Sequence, residues 1–296
     1  MILVEDREGS RIDSFLSTSL SLSRSKIQKL IKENKVTVNG KIVSSSYSVK
    51  IGDSIEVDDD ISYEEDIIPE DIPIDILYED EDLIILNKKS GMVVHPANGH
   101  YKGTLVNALL YRYPLNSGDK LRPGIVHRLD KDTSGVMVVA KNEWAHEKLS
   151  SMISKKEVVR KYLAIVSGVI KNDSGTIDAP IGRDLTNRQK MAVTDVHGKD
   201  SITHFKVLER FHNHTLIECK LDTGRTHQIR VHMSYIGYPV LNDPLYGKGK
   251  ADSFGQMLHS YSIQFLHPRT GKELFYQVDP PKEFQDKLEE LRKCQN

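Results

Sequence analysis

The chain is poor in cysteine and in long apolar runs. Of its 296 residues only two are cysteines, Cys219 and Cys294, too few for a disulfide framework or a four-cysteine zinc site. No apolar stretch approaches the ~18 residues that a membrane span requires. The start, Met1-Ile2-Leu3-Val4-Glu5-Asp6, lacks the basic n-region and apolar core of a signal peptide. Net charge is also nearly absent, with 41 Lys and Arg against 42 Asp and Glu. No phosphate-binding P-loop occurs, and Gly247-Lys248-Gly249 lacks the third glycine of a dinucleotide fingerprint. His227 and His232 stand five apart, not four as in a zinc-binding helix. A soluble cytoplasmic protein is expected, with no metal and no cofactor, built as one large domain or two unequal ones.

The near-zero charge is unevenly spread. Between Ile51 and Asp82 there are 15 Asp and Glu and no Lys or Arg. Elsewhere 27 acidic residues face 41 basic ones, a net charge of +14. The acidic run is either a solvated linker or a device that keeps negative charge away from a basic, nucleic-acid-facing surface. Either way it marks a boundary. The expected division is residues 1–60, an acidic linker over 61–72, and a second domain over 73–296.

The front segment is basic, with 9 basic and 3 acidic residues from Arg7 to Lys50. Ile12, Phe15, Leu16 and Leu20 fall at helical spacing. A second helix starts near Ser23 as N-cap and puts Ile27, Leu30 and Ile31 on one stripe, which Arg24, Lys26, Lys29 and Lys32 avoid. Val36 to Val43 reads as a hairpin whose Asn39-Gly40 suits a type I′ turn, and a strand over Ile51 to Val57 closes a small sheet. Two short helices with a basic face and a hairpin suit RNA binding, with Arg24, Lys26, Lys29 and Lys32 as the contacts. From Arg11 to about Val57 the segment resembles the RNA-binding domain named for small ribosomal protein S-four. The resemblance rests on Arg11-Ile12-Asp13-Ser14-Phe15-Leu16, Ser23-Arg24-Ser25-Lys26 and Val36-Thr37-Val38-Asn39-Gly40-Lys41. It implies contact with structured RNA but no chemistry.

Beyond the linker, Ile74 to Tyr78, Leu83 to Asn87, Val136 to Ala140, Tyr162 to Val169, Ile202 to Leu208 and Thr215 to Leu221 read as strands. Asn142 caps a helix reaching about Ile153. Thr226 to Ile236 reads as a helix stopped by Gly237, and a last amphipathic helix follows Pro280-Pro281. Strands outnumber helices without strict alternation, so the class is α+β with a mainly antiparallel mixed sheet.

Two polar segments could carry chemistry. His127-Arg128-Leu129-Asp130-Lys131-Asp132-Thr133-Ser134-Gly135 forms a turn between apolar strands, where rigid flanks fix catalytic geometry. Asp130 or Asp132 could be a nucleophile, a base or a turn cap. In Asp222-Thr223-Gly224-Arg225-Thr226-His227-Gln228-Ile229-Arg230-Val231-His232, Arg225 lies beside a helix start, where its charge opposes the dipole. That placement suggests an anionic partner, a carboxylate or a phosphate.

Both segments resemble the RluA/RluD family of ribosomal large-subunit pseudouridine synthases. Tyr78 to Leu83, Asn87-Lys88, Val93-Val94-His95-Pro96 and Lys161-Tyr162-Leu163-Ala164 match further family segments in the same order. Lys89-Ser90 departs from the usual Pro-Ala. Asn242 stands where Gly usually precedes Asp243-Pro244, although Asn tolerates left-handed backbone. The resemblance implies conversion of uridine to pseudouridine in RNA without cofactor, with Asp130 as the essential carboxylate. It implies that Arg225 pairs with Asp130 and that Tyr162 stacks on the uracil. Ile229 would wall the base, His127 would help bind the substrate, and Arg128 would fill the gap left by the flipped-out nucleotide. The expected partner is large-subunit ribosomal RNA, met by a monomer that needs no membrane. The alternatives are a synthase acting on transfer RNA, a nucleobase glycosidase, and a non-catalytic ribosome-associated RNA-binding protein.

Overall fold

The computed structural model describes residues 2–5, 8–20, 24–58, 67–96, 101–115, 122–187, 189–249 and 251–294. They fall into two compact units, Met1–Asp66 and Ile67–Asn296.

The first unit contains β1 (Ile2–Leu3), α1 (Ile12–Ser19), α2 (Arg24–Lys32), β2 (Val36–Val38), β3 (Lys41–Ile42) and β4 (Ser54–Val57). The strands pair antiparallel in the order β1-β4-β2-β3. The helical stripes close over this sheet, burying Ile12, Phe15, Leu16, Ile27, Leu30 and Ile31 with Val36, Val38 and Ile55. Asn39 and Gly40 both take positive φ, 51° and 74°, as a type I′ turn demands. The N-cap expected at Ser23 and the side chain of Lys26 lie outside the described residues.

The second unit opens with β5 (Asp75–Glu79), β6 (Leu83–Lys88), α3 (Leu105–Arg112), β7 (Ser134–Ala140) and α4 (Glu143–Ser154). It continues through β8 (Val159–Ser167), β9 (Ser174–Asp178), β10 (Ile181–Arg183), β11 (Met191–Val193), β12 (Ile202–Arg210) and β13 (His214–Leu221). It ends with α5 (Gln228–Tyr235), β14 (Leu258–Leu266), β15 (Glu273–Gln277) and α6 (Lys282–Lys293). One sheet runs β5-β6-β7-β14-β8-β13-β12-β9, with β15 also on β14, and β10-β11 form a separate ribbon. Among the described residues only β7 and β14 pair parallel, which makes the sheet mixed and the chain α+β. The unit begins at Ile67, inside the stretch expected as linker, because Asn107 on α3 binds the carbonyl of Ile68 and accepts the amide of Glu70. Among the described residues no helix is long and apolar enough to cross a membrane.

Alternation along the strands gives the sheet two buried faces. Ile84, Leu86, Met137, Val139, Tyr162, Ala164, Ile217 and Cys219 point to the side covered by α3 and α5. Leu83, Ile85, Val136 and Val138 meet α4 on the other side, while Leu163, Ile165 and Leu216 meet α6. The capping group of α4 is Asn142, whose side chain accepts from the Ala145 amide at 2.9 Å.

Candidate active site

A cavity of about 460 Å³ opens on the α5 side of the sheet. Asp130, Arg128 and His127 reach it from the turn before β7, Tyr162 and Arg160 from β8, and Ile229 and Arg230 from α5. Gly135 is needed where this turn enters β7: its φ is 114°, and a Cβ there would collide with the Ser260 carbonyl of β14. Lys88, at the end of β6, is buried and donates to the carbonyls of Lys89, Met92 and Lys131 at 2.8–2.9 Å. Burial lowers its pKa to about 7, while the three carbonyls use all three protons of an ammonium. Ser90, part of the Lys89-Ser90 departure from the family pattern, donates to the Asp132 carbonyl at 3.0 Å. Both contacts brace the turn that presents Asp130.

Asp130 is held by Arg230, not by Arg225. Arg230 Nη1 donates to Asp130 Oδ2 at 2.8 Å, while Nε and Nη2 donate to the two oxygens of Asp243 at 2.6 and 2.9 Å. Burial works against the Arg230 charge, but Asp243 and Asp130 outweigh it and raise the pKa. Burial likewise disfavours the Asp243 charge, and Arg230 with the Leu245 and Tyr246 amides holds it below the usual carboxylate range. Asn242 sits just before it at φ 61°, the left-handed conformation that lets Asn replace Gly there.

The expected Arg225–Asp130 pair does not form, for a local reason. The Gln228 side chain accepts from the Arg225 amide at 3.0 Å and from the Thr223 hydroxyl at 2.8 Å. This fixes the turn so that Arg225 lies exposed and donates Nε to the Asp200 carbonyl. The helix therefore starts two residues later than expected, at Gln228, with His227 at φ 57° as its N-cap. The one sequence signal for Arg230 is its place between Ile229 and Val231. Gln228, Ile229, Val231, His232 and Met233 are all buried around it, and a charge on so buried a helix must be paired.

The remaining expected residues divide. Tyr162 is 5% exposed, and burial pushes its phenol up while Arg160 and Ser260 oppose the shift. Ile229 is buried against the same core. Arg128 is exposed on the cavity rim. His127 is in the wall, but its Nε2 accepts from the Val138 amide at 3.0 Å, fastening the motif to β7. That leaves the proton on Nδ1, buried and without a partner. His227 Nε2 lies 3.9 Å from Asp130 and its Nδ1 shares a hydrogen bond with Tyr246 at 2.9 Å. Burial lowers its pKa, with Asp130 opposing, so the ring is neutral at neutral pH. Asp132 packs against Gly255 away from the cavity lining.

In the front unit Arg24 is half-exposed with one Nη on Asp13 at 3.1 Å. The buried Asp13 also takes Arg11 and Gln28, and the Arg11 bond holds its carboxyl far below the ordinary range. Lys29 and Lys32 are exposed.

Among the described residues, Asp80, Asp82 and His267 alone cluster closely enough to hold a metal ion. Arg269 neutralises Asp82. His267 Nδ1 accepts from the Arg269 and Thr270 amides, and its Nε2 lies 2.8 Å from Asp80 without forming a hydrogen bond to it. Both oxygens of Asp82 are thus taken by Arg269, and Asp80 accepts from Tyr78 and the Asp82 and Leu83 amides. His232 is also committed, with Nδ1 on Thr203 and Nε2 on the Ala179 carbonyl.

The RNA pseudouridylate synthase family model matches residues 82–235, and the S4 domain model matches residues 10–55. The chain is 50% identical to the uncharacterized RNA pseudouridine synthase YlyB of Bacillus subtilis strain 168, covering 98% of this chain and 96% of the relative. It is 40% identical to ribosomal large subunit pseudouridine synthase D of Escherichia coli strain K12, over 97% and 92% of the two chains. The structure of human RNA pseudouridylate synthase domain containing 4 superposes with a TM-score of 0.59 at 26% identity, over 74% and 93% of the two chains. For human RNA pseudouridylate synthase domain containing 1 the TM-score is 0.58 at 29% identity, over 71% and 84%. With its front S4 domain and its catalytic region in one chain, the protein belongs to the RNA pseudouridine synthase family.

Proposed function

We propose that this enzyme isomerises specific uridines of large-subunit ribosomal RNA, using Asp130 as its essential carboxylate. The observation that carries the assignment is the Asp130 carboxylate, ion-paired to the buried Arg230 at a cavity that Tyr162 and Ile229 also line, whereas Asp222, the other carboxylate of the lining, is held by Lys156 and His204. In the reaction the N1–C1′ bond of uridine breaks, the uracil turns, and C5 bonds to C1′. The C5 proton leaves to solvent and N1 gains one, so no redox partner is consumed.

Arg230 keeps Asp130 ionised and oriented by a charge-assisted hydrogen bond. Tyr162 stacks on the uracil and Ile229 walls it. Arg128, on the rim, fills the gap in the RNA stack once the target nucleotide has been flipped out. The front unit adds a second anchor on structured RNA, with Arg24, Lys29 and Lys32 contributing charge. Ribosomal RNA is favoured over transfer RNA because the relatives named for their substrate, at 40–43% identity, act on the large subunit by name. The enzyme works as a cytoplasmic monomer without cofactor.

Mapping pseudouridines in ribosomal RNA from cells with and without the protein tests the substrate. Loss of sites in the large-subunit RNA is expected. An unchanged map there, with sites lost from transfer RNA, rejects the ribosomal assignment. Release of free uracil by the purified enzyme would mean hydrolysis instead.

A further inference from the structure

We propose that Arg160 is the phosphate-binding residue of this cavity, holding a phosphodiester of the RNA strand beside the nucleotide seated against Tyr162. The proposal rests on the cavity being the uridine site. Arg160 precedes Tyr162 by two residues on β8, so both side chains leave the same face of the sheet, about 6.6 Å apart along the strand. Both line the cavity.

Arg160 is only 3% exposed, yet no acidic group or hydrogen-bond acceptor among the described residues engages it, and its buried Nε has no partner. Other buried cations of this region are spent. Arg230 holds two carboxylates, and Lys88 holds three carbonyls. A buried charge is costly unless something pairs with it. The fold maintains that cost here, inside a cavity that receives a polyanion.

The surroundings keep this cation available. Across from it, Gly224 is exposed at the cavity edge, and a Cβ there would come within 3.1 Å of Arg160 Nη1. A side chain at this position would press on the guanidinium, so the glycine leaves the space beside Nη1 free. Asp222, the nearest carboxylate in the wall by sequence, is already held by Lys156 and His204. The Arg160 charge also reaches the neighbouring rings, lowering the pKa of His127 and opposing the rise at Tyr162. A planar fork with several N–H donors fits a phosphate better than a single uracil carbonyl, and phosphate contacts set the register of a strand without reading its sequence. Arg160 would therefore fix where the target nucleotide enters, while Tyr162 receives its base.

The test is a double cycle read in Kd with a short RNA substrate. Methylphosphonate replaces one linkage at a time around the target uridine, and each RNA is bound to wild type and to Arg160→Gln. The expected result is a loss of roughly tenfold for Arg160→Gln on native RNA, an equal loss for wild type at one neutral linkage, and no further loss when the two are combined. Additive losses at every linkage, or no loss from Arg160→Gln, would overturn the proposal. If Arg160→Gln does not fold, Arg160→Lys enters the same cycle, and additivity there is equally decisive against it. Tritium release from C5-labelled RNA by wild type reports separately on the isomerisation, so failure of that chemistry is not confused with failure of the phosphate contact.

Discussion

Arg230 bridges Asp130 and Asp243, giving one Nη to the first carboxylate and its other two N–H directions to the second. A lysine would supply one point charge and could not serve both from a planar fork. Arg230→Lys is expected to lower the single-turnover rate at least about 100-fold, or roughly 2.7 kcal/mol. It should also lose stability, since an unpaired buried carboxylate costs roughly 3–5 kcal/mol. Arg225→Lys should stay within a few-fold of wild type, because among the described residues the Arg225 side chain hydrogen-bonds the Asp200 carbonyl and no carboxylate. Single-turnover tritium release with denaturant unfolding of both variants checks the ranking. A larger loss at Arg225 would reject it.

His127 makes stability depend on pH. Burial first, and the Arg160 charge second, lower its pKa to about 3 from an ordinary 6.5. The unfolded chain therefore takes up a proton below about pH 6.5 while the folded chain does not until about pH 3. Stability from this group is complete above the unfolded value and falls as pH drops through that window, by up to about 1.4 kcal/mol per pH unit. In His127→Gln the slope between pH 6 and 4 should flatten. An unchanged slope in urea titrations would show that the ring is not buried neutral.

What was legible in the sequence was mostly local. The Asn39-Gly40 turn, the Asn142 cap, the glycine stop at Gly237 and the left-handed Asn242 each depend on a few adjacent residues. Asp130, Tyr162 and Ile229 lie on motifs whose order survives in the chain, and they meet at one cavity. The choice between Arg225 and Arg230 was not local, since Asp243 and the Gln228 brace decide it through contacts between separate elements. The central strand β14 was missed for the same reason. His259, Ser260 and Ser262 break its apolar pattern, yet they are buried, with His259 on Ser134 and the Val278 carbonyl. Helix α3 was hidden because its capping box uses Thr104 and Asn107 instead of a glutamate.

The two compact units imply a separable RNA anchor. A fragment beginning near residue 67 should fold, since Ile68 and Glu70 already bind α3. It should keep tritium release on short substrates but bind large structured RNA more weakly. Its binding should also depend less steeply on salt, because the Lys and Arg contacts of the front unit are gone. Equal affinity and equal salt slope for fragment and full chain would show that the front unit does not anchor the RNA.

Asp130 and Asp132 stand two residues apart but in different surroundings. Asp130 faces the cavity with one oxygen on Arg230, whereas Asp132 packs on Gly255 and its carbonyl accepts from Ser90. Forming the C5–C1′ bond must expel the hydrogen on C5, so RNA tritiated there reports turnover directly. Asp130→Asn keeps size and much of the hydrogen bonding but removes the carboxylate charge and nucleophilicity. That variant should fold, bind RNA within a few-fold of wild type, and release no tritium above background. Asp132→Asn should retain most of its activity. General acidity of the turn would instead predict similar losses for the two, so the contrast separates a reacting carboxylate from a merely acidic loop. Near-wild-type release from Asp130→Asn would remove Asp130 from the chemistry.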